Sequence, residues 1–175
     1  MTTKKSYAKF FLKSDRGRHK THKKIEKMSL FLSSYENRLD TKGRISVPAS
    51  FRAALNSESF SGVVLYRSFT NRCIEGLSMS RMEMLANATD KMGVFDGNLD
   101  DLSAMLFADA RPLSFDVTGR IVIPNDLLQH AGIKDRAVFV GRGTSFQIWN
   151  PDEFKKMQSG ALERLRVTRP DLKIA

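Results

Sequence analysis

Residues 40–51 read DTKGRISVPASF, and residues 116–127 read DVTGRIVIPNDL. Asp, Gly, Arg, Ile and Pro recur at the same relative places, 76 residues apart. In the first stretch, residues 35–39 predict a short strand, DTKGR a tight turn with Gly43 free to take positive φ, and residues 44–47 a second strand closing a β-hairpin. Pro48 then presets the first helical turn, and Phe51 and Leu55 stand four apart, on one stripe of a short helix. The segments GVVLYRS and RCIEGLS follow as two more strands around a polar FTN bend at residues 69–71. The second stretch predicts the same order: a strand ending at Phe115, the DVTG turn, RIVI as a strand, and Pro124 before the helix NDLLQHA, which Gly132 closes. RAVFVGRG and SFQIWNP complete it, at an offset of about 73 by the last strand, so a loop is shorter in this copy.

Between the copies, residues 80–109 predict two helices. Met82, Leu85 and Met92 form one apolar stripe, and Leu99, Leu102, Met105 and Leu106 the other. Asn98 is the expected cap of the second, with Asp100 and Asp101 in its first turn, and KMGVFDGN is the bend. A last helix starts at Pro151 behind Asn150 and runs toward LERLR, with Phe154, Met157 and Leu162 set to cover a sheet. Strands this short cannot hide their edges alone. Two copies that interleave their hairpins into one closed barrel can. The expected fold is therefore α+β: a pseudo-twofold β-barrel of two interleaved half-domains, flanked by helices.

The net charge of +10 points to an anionic partner, but most of it lies in the first 27 residues, which hold ten Lys/Arg against two acids. The other 148 residues carry 19 basic and 17 acidic side chains, so any nucleic-acid site in the body must be local. The lysine-rich tail lacks apolar periodicity and is expected to be disordered in isolation. Three readings stay open for it: a start codon chosen upstream of Met28, a basic arm on phosphates, or a transit peptide. One cysteine, Cys73, excludes a disulfide framework and Cys/His metal spacing, and suggests a reducing compartment. No run of about 18 apolar residues is present to span a bilayer.

Asp40 and Arg44 flank the first turn, and Asp116 and Arg120 the second. Each carboxylate can accept from turn N–H groups or from its guanidinium. This pattern supports two readings. One is a structural latch of little energetic weight. The other is a rigid arginine presented to guanine edges or phosphate. Lys42 and Arg38 reinforce the first copy, whereas Thr118 and Ser114 stand in their places in the second.

The paired DTKGRISVP and DVTGRIVIP units, FRAAL and LLQHAG after the prolines, and VFVGRGTSFQIWNPDEF together resemble the MraZ family, bacterial proteins with two SpoVT-AbrB-type domains. The resemblance covers roughly residues 30–158. It implies interleaved, double-psi-like half-domains: a tail at 1–29, domains at 34–81 and 110–153, a helical connector at 82–109 and a C-terminal helix and tail at 154–175. It also implies a cytoplasmic, nucleoid-associated transcriptional regulator, neither enzyme nor membrane protein, with no cofactor, metal or small-molecule substrate. Its partners are double-stranded DNA, at repeats upstream of its own division and cell-wall operon, and further copies of itself in a ring. By position, the DNA-contacting residues are Asp40, Lys42, Arg44, Asp116 and Arg120, with Arg38 beside them and Arg52 in the helix after the first proline. Leu128 stands where a second helix arginine is expected.

Other classes find less support. His130, the one histidine outside the tail, has no nucleophile or carboxylate at a motif spacing. The GRG at 141–143 joins two strands rather than opening a helix, which marks a hairpin turn and not a phosphate loop. An antitoxin-like protein, or a purely structural ring, remains the alternative function. Phe95 and Phe107 are candidates for subunit contacts or core, and Trp149 for core or interface.

Overall fold

The computed structural model describes residues 30–91 and 97–168. Residues 1–29, Met92 and Phe95 lie outside them, as do the side chains of Asn98, Leu99, Asp100 and Leu102. The chain order is β1 (Ser34–Arg38), β2 (Arg44–Ser46), α1 (Ala49–Ala54), β3 (Gly62–Arg67), β4 (Ile74–Leu77), α2 (Met79–Lys91), α3 (Gly97–Asp109), β5 (Arg111–Ser114), β6 (Arg120–Val122), α4 (Asn125–Ala131), β7 (Arg136–Gly141), β8 (Phe146–Trp149) and α5 (Pro151–Thr168). Six strands form one antiparallel sheet in the order β1-β7-β8-β4-β3-β5, and β2 pairs with β6 in a separate two-stranded ribbon.

The α+β class holds, and the pairing carries the duplication. Exchanging the halves (β1 with β5, β2 with β6, β3 with β7, β4 with β8) turns the sheet order into its own reverse. Two pairs lie on the pseudo-twofold axis, Ile45 opposite Ile121 in the ribbon and Glu75 opposite Gln147 in the sheet. The offset between copies falls from 76 at the ribbon to 74 at Val64 and Val138, then 72 at Glu75 and Gln147, so two loops are each two residues shorter in the second copy.

One expectation is corrected. Residues 35–39 and 44–47 do not ladder as a hairpin: β1 pairs with β7, β2 pairs with β6, and a single bridge from Leu39 to Ile45 joins the first two. The turn itself survives, with Asp40 N–H donating to the Arg44 carbonyl and Gly43 N–H to the Asp40 carbonyl, both at 3.0 Å. The cause is burial. A three-residue strand has one inward side chain, and pairing β2 with its counterpart places Ile45 and Ile121 back to back over the core, which neither local hairpin achieves. The ribbon stands between the sheet's free ends, β2 against β1 and β6 against β5. The described ladders are thus an open sheet and a ribbon, not a hydrogen-bonded closed barrel.

One core lies between the sheet, the ribbon and the two short helices. Phe31, Phe51, Phe139 and Phe146 meet there with ring centroids 5.0–6.3 Å apart, joined by Ile45, Ile121, Leu127 and Ile148. Pro48 (φ −51°) and Pro124 (φ −55°) open α1 and α4, and Gly132 closes α4 in the left-handed conformation. A smaller cluster of Val64, Leu77, Met82 and Leu106 seats α2 and α3 on β3 and β4, with Leu85 and Phe107 packed against it. Phe107 is therefore partly buried in this cluster. Met105 departs from its expected inward place: one residue is about 100° of helix rotation, so with Leu106 inward Met105 is exposed. Asn150 caps α5 as expected, its Oδ1 accepting from the N–H groups of Asp152 and Glu153. Trp149 is core, its indole N–H donating to Gln147 Oε1 and its ring meeting Phe154.

Candidate nucleic-acid interface

The two Asp-x-x-x-Arg turns are built alike. Asp40 Oδ1 accepts from the backbone N–H groups of Lys42 and Arg44, each at 2.9 Å, while Oδ2 accepts from Arg44 Nε at 2.5 Å. Asp116 Oδ1 accepts from the N–H groups of Thr118 (2.8 Å) and Arg120 (3.0 Å), and Oδ2 from Arg120 Nε at 2.8 Å. Thr118 adds its hydroxyl to Oδ1 at 2.7 Å. Gly43 (φ 73°) and Gly119 (φ 75°) supply the left-handed residue that lets the chain reverse within four residues.

The latch also orients the arginine. The carboxylate occupies Nε and fixes the guanidinium plane, and among the described residues the Nη groups of Arg44 and Arg120 take no protein partner. That free edge carries the paired donors that suit guanine or phosphate. Arg44 lies opposite Val122, and Ser46 opposite Arg120. Opposed residues and alternate residues share a face, so all four stand on the outer face of the ribbon while Ile45 and Ile121 point into the core. Arg44 and Arg120 are diagonal neighbours there, roughly 7–8 Å apart. A B-DNA major groove, about 12 Å wide, admits a two-stranded ribbon.

The backbone N–H of Arg44 holds the Asp40 carboxyl below its ordinary value, and that of Arg120, helped by the Thr118 hydroxyl, holds Asp116 further down. A depressed folded-state pKa means a contribution present above the unfolded pKa and lost as pH falls through the folded one. The turns are accordingly expected to keep their geometry from pH 7 down through the ordinary carboxylate range, about 3.9. Side-chain carboxyl NMR titration checks this: both midpoints fall below that value, Asp116 lower than Asp40, and a midpoint at or above it overturns the latch.

Of the other residues expected at the site, Lys42 is exposed at the tip of the first turn, beside Arg44. Arg38 stands at the end of β1 opposite Arg136, itself paired with Glu36. Arg52 is half-buried and lies over Gly119 of the second copy. Ser46 and Val122, which share the outer face, escaped the sequence reading because only the register between copies reveals them, whereas the Thr118 hydroxyl, two residues from Asp116, is a local turn contact that the spacing could have shown. His130 keeps Nε2 buried without a hydrogen-bond partner among the described residues. Burial pushes the Cys73 thiol up to about 12, so it stays protonated and is a poor nucleophile. Among the described residues no three His, Cys, Asp or Glu side chains cluster for a metal, and no helix is long and apolar enough to cross a membrane.

Fold and site define a class: a duplicated α+β protein that pairs one strand from each copy into an outward-facing, arginine-bearing ribbon. The family model described as "MraZ protein, putative antitoxin-like" matches residues 30–94 and 106–169. "Transcriptional regulator MraZ" of Rickettsia peacockii (strain Rustic) is 43% identical over 134 residues, covering 77% of this chain and 90% of that protein. The protein of the same description from Pelagibacter ubique (strain HTCC1062) is 42% identical over 144 residues, covering 82% and 93%. The chain belongs to the MraZ family.

Proposed function

We propose that the chain is a transcriptional regulator that binds double-stranded DNA through the outer face of its β2–β6 ribbon. Arg44 and Arg120 read groove edges or phosphates, Asp40 and Asp116 orient them, and Lys42 contacts phosphate. One observation carries the reading: each guanidinium is tied to its aspartate through Nε alone, on an exposed ribbon, which leaves its paired Nη donors without a protein partner among the described residues. The descriptions of the relatives as transcriptional regulators point the same way.

Because each Arg–Asp pair is neutral overall, the ribbon gains orientation at the expense of net charge. A single subunit is then a weak ligand. Repeated sites upstream of its own division and cell-wall operon, met by several subunits of a ring, compensate through effective concentration. On this reading the protein acts in the cytoplasm, associated with the nucleoid. We take sheet and ribbon together as one pseudo-twofold barrel, a reading supported by the ribbon's position between the sheet's free ends.

Fluorescence anisotropy of the full chain on a labelled fragment from upstream of its own gene tests the proposal. Affinity should fall linearly on a log–log salt plot, by about 0.9 per phosphate neutralised. Replacing the fragment by unrelated DNA should weaken binding at least tenfold at about 0.15 M salt. Equal affinity for both fragments excludes sequence-specific binding by the ribbon.

A further inference from the structure

Each turn rests on the other copy. The Gly43 carbonyl accepts from Ile123 N–H at 3.0 Å, and the Gly119 carbonyl from Val47 N–H at 3.1 Å. The side chains above the turns repeat this exchange with different chemistry. Over Gly43 lies Leu128, whose Cδ1 is 3.8 Å from where a Cβ on that glycine would stand. Over Gly119 lies its counterpart Arg52, much closer: a Cβ there would come within 2.6 Å of Cδ, Nε and Cζ. Gly119 is buried in consequence, whereas Gly43 is only half-buried. Arg52 Nε also donates to the Val47 carbonyl at 3.2 Å, and Val47 is the residue whose N–H holds the Gly119 carbonyl. Arg52, Val47 and Gly119 thus form one unit spanning both copies.

We infer that Arg52 is a positioning residue for the second copy's turn, holding the Asp116–Arg120 pair at a set pitch from the first half of the chain, and does not serve as a DNA contact of the first copy. A planar guanidinium lying flat on a glycine backbone is a stiffer support than an aliphatic tip at ordinary contact distance. The more firmly held turn is the one that lacks a lysine: Thr118 stands where the first copy has Lys42. The two turns therefore divide the task, the first carrying extra charge and the second extra rigidity. The DNA consequence rests on the ribbon reading proposed above; the positioning does not.

Two measurements on the full chain test this. In amide hydrogen exchange, Arg52→Leu, which installs the second copy's own residue, should speed Thr118 and Arg120 about tenfold, the loss of roughly one hydrogen-bond-sized interaction. Lys42 and Arg44 amides should be unchanged, which also verifies that the variant is folded. Arg52→Lys should not restore protection, because a flexible ammonium cannot lie flat on Gly119. Equal change in both turns, or in neither, overturns the inference. In DNA anisotropy, Arg52→Leu should weaken binding severalfold in an Arg44→Ala background and less than twofold in an Arg120→Ala background. The same factor in both backgrounds makes Arg52 an independent DNA contact and also overturns it. If Arg120→Ala alone leaves DNA binding unchanged, the ribbon's role for that arginine fails, while the exchange result still decides the positioning.

Discussion

Arg44→Ala should reduce affinity for the upstream fragment by a large factor while leaving fold and assembly unchanged. The side chain is held at the surface by Asp40 and takes no part in the core, so its removal creates no cavity. Each well-placed bidentate contact is worth about 1–3 kcal/mol. If two subunits engage adjacent repeats, the variant loses about twice that, on the order of 30-fold to 10,000-fold. Lys42→Ala should cost less and act alike on specific and unrelated DNA, since a phosphate contact carries no sequence information. The comparison is made by anisotropy at fixed salt, with circular dichroism and sedimentation as controls for fold and assembly. Full affinity in Arg44→Ala would falsify the ribbon model.

Phe51→Ala should produce the largest loss of stability. Phe51 is 0% exposed and its ring meets those of Phe31, Tyr35, Phe139 and Phe146 at 5.2–6.3 Å. These partners come from the segment before β1, from β1 itself and from β7 and β8, so the cavity is lined by rigid elements that cannot all close in. Burial loss and cavity together cost about 3–5 kcal/mol for Phe→Ala in a core, against a total stability of about 5–15 kcal/mol for a domain. Urea unfolding followed by tryptophan fluorescence reads the change, Trp149 being the single tryptophan. A loss below about 0.5 kcal/mol, the range of ordinary surface changes, contradicts the packing described. DNA affinity measured well below the transition should change far less than in Arg44→Ala, which separates the site from its support.

The elements themselves were largely legible. Proline before each short helix, glycine in each turn and at the end of α4, and the order strand, turn, strand, helix in both copies all follow from local stereochemistry. The latch was legible too, because Asp and Arg four apart across a glycine turn have few other ways to satisfy one another. Met105 was misplaced because a sparse helical stripe leaves its inward edge uncertain by one residue. The pairing of β1 and β2 was not legible, because the two flank the same turn and yet β1 pairs with β7.

By itself, then, the amino-acid sequence determined the duplication, the chemistry of the turns and the types of the elements, all of which depend on residues within a few positions of one another. Only the tertiary structure decided which strands pair. Ile45 opposite Ile121, Val47 holding Gly119, and Arg52 lying on the opposite copy's turn are contacts about 70 residues apart in sequence. Such contacts are selected by which arrangement buries both copies' apolar residues at once, and no local pattern encodes that choice.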